Sequence, residues 1–387
     1  MKPSDKSAFS PRQMIERLVS IPTVSRDSNL EFIEFVESYL GAQGVSATRV
    51  SNADGSKANL FATVGPMVAG GVVLSGHTDV VPIDDQDWSS NPFEVVEKGG
   101  RLYGRGTCDM KSFYAIALAL VPEMNRLKRP IHFALSYDEE IGCLGAPALI
   151  EALTRAVPEP AAVIVGEPTM MQVVGAHKSI FYFETRVTGR EAHSSQPHRG
   201  VSAVMIAARL IAWIHERQRR CAEEAPASAF EPHHTSLHCG VIRGGTAHNI
   251  MAHHCEFVTD IRCIPGEEAR DYLREIEAFA REVLEPEMHA IDAKTGIEFR
   301  ILADVPAFAA AENDAAVALA QHLTGQNARE SVSYGAEAGQ FQQAGLQVVM
   351  CGPGSIDQAH QPDEFISLSQ VEAGTRFMRR LIDYLSE

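Results

Sequence analysis

The chain has 387 residues, 45% hydrophobic and 22% charged, with a formal net charge of −16. That length exceeds what one core usually organises, so two domains are expected, and the acidic balance argues against nucleic acid or an anionic membrane surface as partner. The apolar run Phe113 to Val121 is too short to span a bilayer and Met1–Lys6 lacks the apolar stretch of a signal peptide, while seven cysteines without a Cys-x-x-Cys pair read as free thiols of a reducing cytoplasm.

Ser10-Pro11 opens a first helix through Met14, Ile15 and Leu18, with Ser at the cap and Pro at the first helical position. Ser28-x-x-Glu31 reads as a capping box for a second, carrying Ile33, Val36 and Leu40 on one face. The apolar run Gly71–Leu74 then reads as a buried strand emptying into Ser75-Gly76-His77-Thr78-Asp79. In an extended segment i and i+2 point the same way, so Asp79 is expected to hydrogen-bond the His77 ring and fix its tautomer. Gly104 and Gly106 loosen the loop Leu102–Lys111, which places Asp109 just before an apolar helix, Phe113–Leu120. Three further buried strands follow. Ile131–Tyr137 ends in Asp138-Glu139-Glu140, Ala161–Val165 in Gly166-Glu167-Pro168-Thr169, and Leu346–Cys351 in Gly352-Pro353-Gly354 and then His360–Glu364. Any one of these acids or histidines could be a solvated loop residue. Their recurrence at one type of strand end, where open α/β sheets place their chemistry, argues for a shared site.

Between Ile180 and Asp304 the texture changes. Ile180–Val187 alternates as a half-buried strand, Val201–Ile214 has helical spacing, Leu237–Ile242 and Cys255–Cys263 read as strands, Ala269–Leu284 as a helix and Ile297–Leu302 as a last strand. That β-α-β-β-α-β order is the split unit of ferredoxin-like folds. It is expected to form a domain of residues 180–304 inserted into one built from residues 1–179 and 305–387. Ser369-x-x-Glu372 is expected to cap a final amphipathic helix.

Two histidines and several carboxylates, with no Cys among them, suit a borderline-to-hard divalent metal. More than four candidate ligands suggest two metals sharing a carboxylate. Neighbours on an extended chain point opposite ways, so of Glu139 and Glu140 one is expected to ligate and the other to take a proton from the attacking water. Neither a Gly-x-Ser-x-Gly elbow nor a phosphate loop is present.

These segments, together with Ala192-His193-Ser194-Ser195-Gln196-Pro197, resemble the zinc-dependent aminoacylase, carboxypeptidase and deacetylase superfamily over nearly the whole chain. The stretch Gly352–Glu364 is most like its N-acetylornithine deacetylases. The resemblance implies an α/β catalytic domain with a mostly parallel sheet flanked by helices, and an inserted ferredoxin-like domain through which two copies form a homodimer. It implies His77 and Glu167 on one metal, Glu140 and His360 on the other, Asp109 bridging, Asp79 orienting His77 and Glu139 as general base. His193 would reach the neighbouring subunit's site and stabilise an oxyanion, and Asn249 and Arg262 would bind the substrate carboxylate. The ions would be zinc, with cobalt as the alternative. The substrate would be a small N-acyl amino acid, N-acetylornithine first, in a cytoplasmic enzyme of arginine biosynthesis. Rivals are another acyl amino acid, a succinyl-diaminopimelate or a peptide substrate, and a non-catalytic metal-binding relative. Glu337, ahead of the strand leading to His360, is expected to hold a substrate ammonium group. One departure stands out: relatives usually read Asn-Ile-Val-Pro where this chain has Asn249-Ile250-Met251-Ala252. His233, His234, His253 and His254 are expected to be ordinary loop or surface residues.

Overall fold

Four short runs, Ile131–Ser136, Val72–His77, Ala162–Val165 and Val348–Met350, lie side by side in that order as the parallel centre of one sheet in the computed structural model, which describes residues 9–387. Every residue in them is buried, as expected of strands covered on both faces. Ala58–Val64 and Ala47–Ser51 extend one edge antiparallel, and Val174–His177 pairs antiparallel beyond Val348–Met350. The stretch Met1–Lys6 lies outside the described residues.

Helices cover this sheet. Lys111–Ala119 is buried along its whole length and packs on Pro11–Val19, Leu368–Ser386 and the strand Val72–His77. Ala315–Thr324 packs on Ala162–Val165 and Val348–Met350, and Ala146–Ala156 on Ala58–Val64 and Ile131–Ser136. Close approach is enforced at Gly166, where a Cβ would lie 2.1 Å from the Phe113 ring.

Ser10 caps the first helix and forms a capping box with Gln13. Two other caps differ from expectation. The second helix, Leu30–Ala42, starts after Asn29, whose side chain exchanges hydrogen bonds with the backbone of Ala58 and donates to Thr78 Oγ1; tying the helix to the sheet displaces the Ser28–Glu31 box. The last helix, Leu368–Ser386, is capped by Ser367, which accepts from Gln370 N at 3.2 Å, rather than by Ser369.

By compactness the chain separates into two units: the residues up to Ala176 with Ala309–Glu330 and Ala336–Glu387, and His177–Phe308 with Ser331–Gly335. The second unit carries an antiparallel sheet in the order Ser236–Gly244, His254–Arg262, Ile180–Thr188, Gly296–Val305, the strand order of a split β-α-β. Phe181, Phe183, Phe257 and Ile261 from the sheet, Leu210 and Ile214 from the helix Ala203–Glu224, and Ile276 from Ala269–Phe279 share one apolar core. The first of these helices runs ten residues past Ile214; the second gives way at Ala280–Leu284 to a π-turn. No helix among the described residues is long and apolar enough to cross a membrane.

His132, on the strand Ile131–Ser136, is fully buried, with Nδ1 2.9 Å from Thr63 Oγ1 and no hydrogen-bond partner at Nε2. Burial pushes its pKa down to about 4. The unfolded chain therefore takes up a proton that the folded chain refuses, and stability falls as pH drops from about 6.5 towards 4, by at most about 3 kcal/mol. His132→Gln should flatten that part of the acid limb in denaturant melts run across this pH range. An unchanged slope would show that His132 does not contribute to it.

Candidate metal centre

Three of the four central strands end by delivering a polar side chain to the same edge. Val72–His77 delivers His77, Ile131–Ser136 runs on to Glu139 and Glu140, and Ala162–Val165 runs on to Glu167. Asp109 and His360 come from loops, the turn before Lys111–Ala119 and the long connection after Val348–Met350.

The structure brings these residues together. His77 Nε2 lies 3.0 Å from Asp109 Oδ1, and His360 Nε2 lies 3.3 Å from Asp109 Oδ2 and 3.0 Å from Glu140 Oε2. One carboxylate thus turns one oxygen to each imidazole. Two groups result, His77–Asp109–Glu167 and Asp109–Glu140–His360, each with its donor atoms within 4.8 Å of one another.

Asp79 acts differently from the expected arrangement. Its main-chain carbonyl, not its carboxylate, accepts from His77 Nδ1 at 2.9 Å, while the carboxylate oxygen lies 3.8 Å away. The carboxylate instead accepts from Ser25 Oγ at 2.7 Å and from the backbone N–H of Glu139 and Glu140 at 3.2 and 3.3 Å. Asp79 therefore sets the His77 tautomer through the main chain and the paired glutamates through its side chain. Asp138 leaves the cluster: with a left-handed φ of 56° it turns to Lys57 Nζ, 2.5 Å away. Glu139 stays inside, its Oε1 accepting from Cys143 Sγ at 3.3 Å.

This donor set fits divalent cations. With Nδ1–H committed to a carbonyl, His77 presents its Nε2 lone pair to Asp109, and two acceptors at 3.0 Å need a proton or a metal ion between them. Glu167 Oε1 is buried with no hydrogen-bond partner. Burial, then the charge of Asp109, pushes the carboxyls of Glu140 and Glu167 up. Burial, then the carboxylate of Glu140, lifts Glu139 to about 8, against the pull of His77. His360 rises to about 10 through its hydrogen bonds to Asp109 and Glu140. Crowded carboxylates that resist ionisation, facing an imidazole that holds its proton at His360, are groups a cation would relieve.

Glu337 does not face a pocket. It is buried, with Oε1 accepting from Ser75 Oγ at 2.5 Å and Oε2 from Ser136 Oγ at 2.8 Å. Both oxygens are spent tying two strands together, so the expected ammonium-binding role is withdrawn. His193, Asn249 and Arg262 belong to the second unit. The backbone of Ser194 donates to Asn249 O at 3.0 Å, so His193 and Asn249 sit on paired loops and both are exposed. His193 Nδ1 accepts from the backbone N–H of Ser195 at 3.2 Å and lies 2.7 Å from Ser195 Oγ. Arg262 ends the strand His254–Arg262 and donates to Asp260 at 3.0 Å. Ala252 is buried, and its carbonyl accepts from Ala203 N at 2.8 Å.

Sequence reasoning assigned no role to Ser25, Lys57, Cys143 or Gln86. They carry no metal-ligand spacing and act only through contacts made in the fold.

Residues 73–384 match the family described as Peptidase family M20/M25/M40. The chain belongs to this family. The M20 chain is 33% identical to an acetylornithine deacetylase of Pasteurella multocida over 96% of both chains, and 34% identical to one of Myxococcus xanthus over 93% of both. Its fold is similar to that of an M20 family metallo-carboxypeptidase from Sulfolobus solfataricus, with a TM-score of 0.78 at 16% identity over 98% of this chain and 99% of the other. Like its family, the chain is a hydrolase.

If Asp109 is common to both groups, zinc or cobalt titration of metal-stripped protein should separate the single mutants. His360→Ala and Glu140→Ala are expected to weaken the same ion, His77→Ala the other, and Asp109→Ala both. Metal analysis after dialysis checks this; losses that did not sort into these sets would break the two-group assignment.

Proposed function

We propose that this enzyme hydrolyses the N-acyl amide of an α-amino acid, with N-acetylornithine as substrate, at a centre of two divalent ions. The observation that carries the chemistry is Asp109 shared between two three-residue groups, with the buried carboxylate of Glu139 beside them. The substrate rests on the acetylornithine deacetylases similar to this chain over nearly its whole length. His77, Asp109 and Glu167 would hold one ion and Asp109, Glu140 and His360 the other; the mixed nitrogen and oxygen donors suit zinc, with cobalt as a substitute. The ions would supply Lewis acidity to the acyl carbonyl and to the water nucleophile. Glu139, held at one oxygen by Cys143, accepts the proton of the water and delivers it to the leaving amine.

His193 and Asn249 serve the second copy of a homodimer in this reading. From His254, next to the Asn249 loop, to Arg262 the strand runs eight residue steps, roughly 26 Å. A small substrate cannot touch both ends of one chain's strand, but two chains can supply opposite ends to one site. Arg262 would then bind the substrate carboxylate from one chain, and His193 would stabilise the oxyanion from the other. An interface is available at the edge strand Ser236–Gly244, where Val241 and Ile242 are 49% and 52% exposed, and on the helix packed against it, where Met205 is 64% exposed. Such an exposed apolar edge invites pairing. Seven free cysteines support a cytoplasmic setting.

Glu139→Gln should keep both ions while turnover of N-acetylornithine falls on the order of 10²–10⁴-fold. Equal metal loss in Glu139→Gln and Glu140→Ala would overturn the division of roles. Running N-acetylornithine beside N-acetylmethionine and a succinyl-diaminopimelate tests the substrate, and preference for either of the others would revise it.

Sharing of His193 is tested by mixing His193→Ala with Glu139→Ala subunits. After exchange about half the dimers are mixed, and one site in each carries both groups, so roughly a quarter of all sites should recover. Activity that stays at the level of the separate mutants, with exchange verified, would place His193 within its own chain or outside catalysis.

A further inference from the structure

His77, Glu140 and Glu167 follow the ends of packed parallel strands, but Asp109 and His360 ride on loops, and the His360 side chain is half exposed. Something must hold those two loops at the separation the Asp109–Glu140–His360 group requires. The structure offers one buried carboxylate that touches both.

Glu364, four residues after His360, is 1% exposed. Its Oε1 accepts from the backbone N–H of Gly106 at 3.0 Å, Cys108 at 2.8 Å and Asp109 at 3.1 Å. Oε2 takes a second contact from Gly106 N at 3.0 Å and a charged hydrogen bond from Arg105 at 2.8 Å. The turn that presents Asp109 is thus wrapped around the carboxylate. Gly104 N closes it further by donating to Glu364 O at 2.9 Å. Arg105 is equally buried and lies over the Trp88 ring. Its second terminal nitrogen donates to Gln86 Oε1 at 2.6 Å, and Gln86 Nε2 donates to the main-chain carbonyl of His360 at 3.0 Å. His360 itself has a left-handed φ of 61°, unusual for a residue with a Cβ. The bond from Gln86 secures that backbone, and with it the direction of the ring.

We propose that Glu364, acting through Arg105 and Gln86, is the positioning residue of the Asp109–Glu140–His360 group and sets its affinity for one of the two ions. The inference rests on reading the cluster as a two-ion centre. Glu364 touches neither ion nor substrate. It holds Asp109 by the backbone and His360 by a relay, as outer-shell groups orient ligands elsewhere, and loss of such groups typically costs 10–100-fold in metal affinity. Truncating Glu364 would strand the Arg105 charge in the interior, so the variants must preserve shape or act further along the relay.

The test is cobalt titration of metal-stripped full-length protein, followed by visible absorption and equilibrium dialysis. Wild type should bind two ions in separable steps. Glu364→Gln should weaken the ion of the His360 group by 10–100-fold and, through the shared Asp109, the other ion less, with Glu364→Asp in between. Gln86 is only partly buried, so Gln86→Ala leaves the Glu364–Arg105 pair in place and should weaken the same ion alone; it decides the matter if Glu364→Gln does not fold. Wild-type affinity for both ions in folded Glu364→Gln or Gln86→Ala overturns the proposal, as does equal weakening of both ions in Gln86→Ala. A wild type that binds no ion would instead remove the two-ion reading itself.

Discussion

Negative charge gathered at one sheet edge is what the surrounding structure must accommodate. The carboxylates of Asp109, Glu139, Glu140 and Glu167 are buried together, with the rings of His77 and His360 against Asp109 and Glu140. At low local dielectric such groups repel strongly and are costly to ionise, so they remain in place only because the backbone gives them no alternative. Strands buried on both faces supply that rigidity. Val72–His77 is flanked in parallel by Ile131–Ser136 and Ala162–Val165, so its end cannot move without theirs.

Around the cluster, neighbouring groups sort the acids into different roles. Lys57 draws Asp138 away, Asp79 grips the backbone of Glu139 and Glu140, and Cys143 holds one oxygen of Glu139. Three consecutive acids with the same intrinsic chemistry therefore become a structural ion pair, a candidate base and a candidate ligand. The loops are governed by a different economy. Asp109 and His360 lack strand neighbours, and a buried carboxylate joined to Arg105 replaces them.

Several readings of the sequence failed for a common reason. A period-two pattern puts Asp79 on the same side as His77, yet cannot say whether a carboxylate or a main-chain carbonyl will reach the ring; the carbonyl did. Glu337 looked like a free pocket acid because Ser75 and Ser136, which occupy both its oxygens, lie 262 and 201 residues away in the chain. The Ser28–Glu31 box does not form: Ser28 Oγ accepts from Leu30 N instead, and the N-cap residue Asn29 spends its side chain on the backbone of Ala58, a long-range partner that no local motif encodes.

By itself the sequence determined what local physics can determine. Unbroken apolar runs mark doubly covered strands, their polar ends mark the edge where chemistry collects, and the change of texture after Ile180 marks a differently built antiparallel sheet. These follow from side-chain period and burial, which depend on neighbours in the chain. Only the tertiary structure decided which oxygen of Asp109 meets which imidazole, which acid Lys57 removes, and how Glu364 ties the Asp109 turn to the His360 loop. Each is a hydrogen bond or ion pair of about 3 Å between residues distant in the chain, and such a contact depends on how the elements pack, not on the pattern within any one of them.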